Sequence, residues 1–298
     1  MEVNKKEYFK LLELKEDKVQ NKVNSNNNNQ NNVTSVPLKD AIVLSSNTSK
    51  NLTPPKELFF DEEENYNKFE KIYDGVYYYN SIRTRNGGIV RALFVDVSKV
   101  NVSAEFNNDG SSINTKGFIE NKNFLACING QFFANGILLG DIKSENKIYT
   151  DKNNYDKITD NRFFISIDNN GNINYGKGGL EENITEGTKF FIGGLLRLYD
   201  DNKIYKDSYG GDSQNSSIAR TFIGIDKNNK LVLITIGEGS KRNKGASFDE
   251  SIEILKKLNV KTAFILDGGG STSMIVKNKD IAKTDGRKVN SYISIYKK

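Results

Sequence analysis

Histidine and tryptophan are absent from this 298-residue chain, cysteine occurs once and proline three times. Each absence removes a class of chemistry. Without histidine there is no Ser-His-Asp or Cys-His machinery, no imidazole general base and no histidine-containing zinc site. With Cys127 alone, an intrachain disulfide is impossible, and cysteine usage leaves the redox compartment open. Cys127 lies in an apolar run and reads as a small buried hydrophobe. No apolar run reaches the roughly 18 residues of a membrane span. The first twenty residues are charged throughout and lack the apolar segment of a secretory signal. The chain as given is therefore expected to be soluble, cytoplasmic or virion-associated. Its heavy use of Asn, Lys and Ile suggests an AT-rich bacterial or phage genome. The net charge of +5 is spread along the sequence, with no basic block interleaved with aromatics, so no nucleic-acid partner is expected. What remains is chemistry that runs on carboxylates, arginine, asparagine and backbone N–H groups.

The composition supports a full core, and three regions are expected. In residues 1–23, Phe9, Leu12, Val19 and Val23 recur near heptad spacing, which predicts a short amphipathic helix. That helix would serve either oligomerisation or assembly docking, or it is a loosely packed terminal element. Residues 24–58 begin with a nearly pure Asn tract that cannot bury enough apolar surface to order itself, and they read as a linker. Residues 59–298 are expected to form the globular domain. The expected fold class is α+β: a strand-rich single domain with a mixed sheet and few helices.

Short β-branched and aromatic runs at Ile89–Val97 and Val100–Phe106 predict strands. Asp168-Asn169-Asn170-Gly171, Asp200-Asp201-Asn202-Lys203 and Asp226-Lys227-Asn228-Asn229 predict hairpin turns, because Asp and Asn cap their own turns and tolerate left-handed backbone. None of the three has EF-hand spacing. The clearest helix is Ser247–Leu258, with Ser247 and Glu250 as a capping box and Ile252, Leu255 and Leu258 as an apolar stripe. It leads into a strand at Thr262–Leu266. The last strand is Ser291–Tyr296.

Four motifs could carry chemistry. After the strand Phe264-Ile265-Leu266 come Asp267, Gly268, Gly269, Gly270, Ser271 and Thr272. Three glycines let several backbone N–H groups approach a phosphate or a sugar hydroxyl, with Asp267 as base, nucleophile or hydroxyl acceptor. The run is not a Walker A loop, since no lysine follows Gly270, nor a dinucleotide fingerprint. In the second motif, Asn129-Gly130-Gln131-Phe132-Phe133 ends an apolar strand; alone it is a turn signal, but Asn129 could bind hydroxyls and the phenylalanines could face a sugar ring. Arg220 opens the apolar strand Arg220-Thr221-Phe222-Ile223 and is either a rim charge or an oxyanion clamp. Glu238, between Gly237 and Gly239, is a second carboxylate or an exposed hairpin acid.

These pieces, in this order, resemble the phosphodiester glycosidase family, over a span from about Tyr73 to the C-terminus. The resemblance rests on Asn129, Gly130, Phe132 and Phe133, on Gly193 and Gly194, on Arg220, Thr221, Ile223 and Gly224, and on Leu266 to Ser271. Glu238-Gly239 stands where the family pattern carries Asp-Gly, a departure that leaves the role of Glu238 open. The resemblance implies hydrolysis of a sugar 1-phosphodiester, such as an N-acetylglucosamine-1-phosphate diester, at the anomeric C–O bond. Phosphate is a good leaving group, so the demand for a general acid falls and histidine is dispensable. Asp267 would activate water or attack the anomeric carbon, with Glu238 as second choice. Arg220 and the glycine-loop amides would stabilise the departing phosphate. Asn129, Gly130, Phe133, Gly194, Thr221, Ser271 and Thr272 would line the sugar site, with Arg287 and Asn290 as supports. No cofactor is called for, and a divalent metal is left open. The alternatives are a non-catalytic carbohydrate-binding or phage virion-associated module, and a polysaccharide-cleaving glycosidase.

Overall fold

The computed structural model describes residues 42–44, 69–113, 115–120, 122–150, 162–201, 203–205 and 215–298. The helix expected at 1–23 and most of the 24–58 linker lie outside them. One strand, β1 (Ile42–Leu44), falls inside that stretch and pairs with β12 (Ile173–Lys177).

The larger sheet runs β1, β12, β11 (Phe163–Asp168), β13 (Thr188–Asp200), β17 (Val260–Ile265), β15 (Arg220–Asp226), β16 (Leu231–Ile236), β4 (Val90–Val95), β3 (Val76–Tyr79) and β2 (Phe69–Tyr73). β9 (Ile142–Ser144) and β14 (Lys203–Ile204) also pair with β13, and β10 (Lys147–Tyr149) pairs with β9. The second sheet runs β19 (Lys279–Ala282), β18 (Met274–Val276), β6 (Ala126–Asn129), β20 (Ser291–Lys297) and β5 (Val100–Phe106). A small hairpin joins β7 (Phe133–Ala134) to β8 (Ile137–Leu138). The described helices are α1 (Thr115–Glu120), the single turn α2 (Leu180–Asn183) and α3 (Phe248–Lys257).

Period-two alternation decides which residues face which core. Ile223, Ile225, Leu231, Leu233 and Phe264 enter a core shared with Ala104, Ile128, Met274, Ile293 and Ile295 of the smaller sheet. Their neighbours Phe222, Val232, Ile234, Ala263 and Ile265 face the other way, onto Phe248, Ile252 and Leu255 of α3. β15 and β16 are buried on both faces, which is why they read as continuous apolar runs. Each such Ile, Leu or Phe removed from water contributes about 1.5–3 kcal/mol.

The expected mixed sheet of an α+β fold is overturned: every strand pairing among the described residues is antiparallel, and helices are few and short. The physical reason lies at α3. It connects β16 to β17, which do run in the same direction, but β15 sits between them and is antiparallel to both. A helix followed by a strand therefore signalled a parallel neighbour that the ladder does not contain. The capping box is half realised: Ser247 Oγ accepts from the Glu250 N–H (3.2 Å), whereas Glu250 Oε1 accepts from the Arg85 N–H (2.6 Å). The Asp turns hold. Asp168 Oδ1 accepts from the amides of Asn170 and Asn172, and Asp226 Oδ1 from those of Asn228 and Lys230. Among the described residues no helix is long and apolar enough to cross a membrane.

Candidate active site

Four sequence-distant stretches meet at the carboxyl end of β17. β15 is antiparallel to β17 and pairs Phe222 with Ile265, so its first residues, Arg220 and Thr221, lie beside Leu266 and Asp267; Leu266 N–H donates to Thr221 O (2.9 Å). On the other side β13 pairs Leu196 with Ile265. Just before it, Gly193 and Gly194 face the single residue Phe164 of β11, a bulge with Gly194 at φ +70° that bends β13 toward β17. A Cβ on Gly194 would lie 2.8 Å from Gly140 Cα. Gln131 fastens the bulge from below, its Nε2 donating to Gly193 O and to Asp141 O (3.0 Å).

β6 brings the fourth stretch. Asp267 N–H donates to Gly130 O (3.1 Å) and Asn129 Nδ2 to Asp267 O (2.6 Å). Asn129 Oδ1 accepts from Thr221 Oγ1 (3.0 Å) and Ser273 N–H (2.9 Å), and Thr221 Oγ1 lies 3.3 Å from Thr272 Oγ1. Asn129 is 1% exposed, and Thr221, Ser271 and Thr272 are fully buried. These groups form a polar latch beneath the loop, pinning three strand ends to one another. A Cβ on Gly130 would overlap Ser291 Oγ, so this position is fixed by the close approach of β20.

The latch presents Asp267 at the loop's mouth. Burial raises its carboxyl to about 6; Ser271, Arg287 and the Gly268 amide oppose the rise. The Ser271 hydroxyl is close enough to act on Asp267 but makes no hydrogen bond of good geometry. Three of the loop amides turn inward. Gly269 N–H donates to Ala219 O (2.7 Å), Ser271 N–H to Gly268 O and Thr272 N–H to Gly269 O. The backbone therefore offers a ligand less than a run of three glycines suggested. Gly269, at φ +58°, has open space beside it, whereas a Cβ on Gly270 would collide with the Arg287 guanidinium and the Asp285 carboxylate.

Arg220 stands apart from the role foreseen for it. It is 5% exposed, its Nε donates to Ala246 O (3.0 Å) and its Nη2 to Ser216 O (2.9 Å), and its guanidinium stacks on Phe248 at 4.2 Å. Burial lowers its pKa to about 10. This geometry ties β15 to the start of α3. The cation that acts on Asp267 is Arg287. Glu238 pairs with Lys241 (2.7 Å) and accepts from the Lys283 N–H. Burial pushes its carboxyl up, but Lys241, the Lys283 amide and Arg91 outweigh it and hold the group below its usual value. Gly239 packs directly on Gly270 and Thr284, its amide donating to Thr272 O (2.9 Å). Gly239, next to Glu238, thus braces the glycine loop from the side.

Phe132 packs on the α3-side core and Phe133 is half-buried in the β7–β8 hairpin. Asn290 is buried, with Nδ2 donating to Gly110 O and Gly136 O (both 2.6 Å), a loop anchor. The sequence reading passed over Asp285 and Arg242, which pair with each other beside Arg287. The signal was the Asp285-Gly286-Arg287 turn, of which only Arg287 was singled out. Among the described residues no group of three metal-ligating acids, cysteines or histidines is found. An open cleft of about 530 Å³ at Phe106–Ser111 and Lys147 shares no residue with this cluster.

Residues 122–296 match the model of a family described as phosphodiester glycosidase, which takes in all four stretches. Among solved structures, the catalytic domain of zebrafish N-acetylglucosamine-1-phosphodiester α-N-acetylglucosaminidase, auto-inhibited by its pro-peptide, is similar in fold. It has a TM-score of 0.62 and 17% identity, over 87% of this chain and 89% of that one. A hypothetical protein from Synechocystis is similar at TM-score 0.54 and 14% identity, over 77% of this chain and 63% of that one. No curated protein matches by sequence.

Proposed function

This chain belongs to the phosphodiester glycosidase family, a family of hydrolases, and from that premise we propose that it hydrolyses a sugar 1-phosphodiester at the anomeric C–O bond, with Asp267 as general base. The observation that carries this reading is the Asp267 carboxyl itself. It stands at the end of the strand where all four family stretches converge, half-buried and raised to about 6. A base is most effective when its pKa lies near the working pH. In a chain without histidine, a carboxyl tuned upward by burial supplies that property.

The step balances as follows. A water oxygen bonds to the anomeric carbon as Asp267 takes its proton, and the C1–O bond breaks with its electron pair going to the phosphate oxygen. The products are the free sugar and a phosphate monoester. The monoester's second pKa is about 6, close to that of Asp267, so the proton passes to the departing product with little energetic mismatch. The acidic leaving group needs no separate general acid. The latch of Asn129, Thr221 and Thr272 keeps the base in place, a geometric contribution of the kind that supports efficient attack.

The substrate class named for the zebrafish relative makes N-acetylglucosamine 1-(methyl phosphate) the first compound to assay. Hydrolysis in ¹⁸O-labelled water, followed by ³¹P NMR and mass spectrometry, should release methyl phosphate and place the label on the sugar. Label on the phosphate would mean P–O cleavage and would sink this mechanism. Binding of the compound without turnover would favour a carbohydrate-binding module instead.

A further inference from the structure

Beside Asp267 lies an ion-pair chain that the base mechanism leaves unused. Asp285 Oδ2 accepts from Arg242 Nη2 and from Arg287 Nη2 (2.8 Å), and Asp285 Oδ1 accepts from Arg287 Nε (2.9 Å). Two guanidiniums thus converge on one carboxylate. Asp285 N–H donates to Gly270 O (2.9 Å), which locks this segment onto the glycine loop, and the missing Cβ of Gly270 makes room for the Arg287–Asp285 pair. The arginine side chains face outward, 54% and 38% exposed, while the Asp285 side chain between them is 23% exposed.

Three features of this arrangement point to an anion. Arg242 and Arg287 share Asp285 as their hydrogen-bonded counter-ion, and Arg287 also acts on the Asp267 carboxyl, so positive charge is gathered where a diester would meet that carboxylate. A guanidinium has five N–H donors in a planar fork suited to phosphate oxygens; Asp285 engages one on Arg242 and two side-chain donors on Arg287, and both keep donors for a ligand. Other candidates are engaged elsewhere: Arg220 is buried against Phe248, and the amides of Gly269, Ser271 and Thr272 turn inward. An anionic diester approaching the Asp267 carboxylate is repelled by it, and a neighbouring cation pair offsets that repulsion.

We propose that Arg242 and Arg287 form a two-arginine clamp for the phosphate oxygens of the substrate, and that Asp285 is the positioning residue that aligns them. The proposal rests on the sugar 1-phosphodiester reading and assigns that substrate's charged half to this clamp. The neutral sugar is left to the region around Asp267. Specificity for a charged over a neutral leaving group would then reside in the clamp.

The test compares the full-length chain with Arg242→Gln, Arg287→Gln and Asp285→Asn on two substrates of the same sugar and anomer, the 1-(methyl phosphate) and the uncharged glycosyl fluoride. Each variant should raise KM for the diester about 10–100-fold, the loss expected of charged hydrogen bonds. The loss on the fluoride should be at least tenfold smaller. Arg242→Lys, which keeps the charge without the fork, should recover part of the loss. Thermal melts identify any variant that fails to fold, and Arg242→Lys then decides the matter alone. Equal losses on both substrates, or an unchanged diester KM, would overturn the clamp. If the wild-type chain turns over neither compound, it is the Asp267 mechanism that fails. The clamp is then judged by calorimetry with inorganic phosphate, whose binding Arg242→Gln and Arg287→Gln must weaken at least tenfold. Absence of phosphate binding by the wild type would also overturn it.

Discussion

Replacing Asp267 with Asn should do two opposite things, cut turnover and raise stability. The carboxyl rises from 3.8 to about 6 on folding, chiefly through burial. Between about pH 4 and 6 the folded chain still holds a proton that the unfolded chain has released, so stability falls as pH rises through that window. At about 1.4 kcal/mol per pKa unit the full penalty above pH 6 is about 3 kcal/mol. Partial solvent access makes that a ceiling, and about 1–3 kcal/mol is expected. Asparagine keeps the shape and never ionises, so the variant escapes the penalty. For a chain of this size each kcal/mol moves Tm by about 2–4 °C. Thermal melts of both proteins at pH 7.5 and pH 4 measure the effect. Asp226 and Asp280, also raised to about 6, are common to both proteins and cancel. The variant should melt several degrees higher at pH 7.5, with the gap closing near pH 4. An equal or lower Tm at pH 7.5, or a gap that persists at pH 4, would refute the burial argument. Turnover should fall by about 10²–10⁴, the usual contribution of a positioned base, and full activity in the variant would remove Asp267 from the mechanism.

Two further outcomes follow from the same geometry. The log of kcat/KM should rise with pH and level off above about 6, as Asp267 loses its proton next to Arg287, Ser271 and the Gly268 amide; a profile flat from pH 4.5 to 8 would assign the base elsewhere. Arg220→Ala should lower Tm, because the carbonyls of Ala246 and Ser216 lose a buried donor at about 1–3 kcal/mol each. It should reduce activity on charged and uncharged substrates alike; a loss confined to the diester would return Arg220 to the phosphate.

Much of the site's location was legible along the chain because it is written in residues with few other uses. Three consecutive glycines after an apolar strand mark a place where backbone must pass close to something, and Gly270 does pass under an ion pair. Asn129-Gly130 and Gly193-Gly194 were read as turns or family marks, and both proved to be close approaches between strands. The roles were less legible. An arginine at the head of an apolar strand offers the same letter whether it faces a phosphate or, as Arg220 does, the ring of Phe248. Asn129 looked like a ligand for hydroxyls, and its acceptor oxygen is occupied by Thr221 and Ser273. Asp285 and Arg242 carry no spacing signal, since 43 residues separate them.

The sequence alone determined which chemistry was possible. Without histidine, acid–base work falls to carboxylates, and the alternation of β-branched and aromatic residues with Asp-Asn turns determined that strands and hairpins dominate. Tertiary structure decided which carboxyls burial raises and which cation lies beside Asp267. A pKa depends on burial and on charges several ångströms away, and those neighbours come from strand ends that are far apart in sequence. Strand direction was also decided there. α3 follows β16 and precedes β17 in the chain, but only the assembled ladder inserts β15 between them and makes every described pairing antiparallel. Local pattern specifies an element and its buried face; its partner is chosen by contacts that no window of sequence contains.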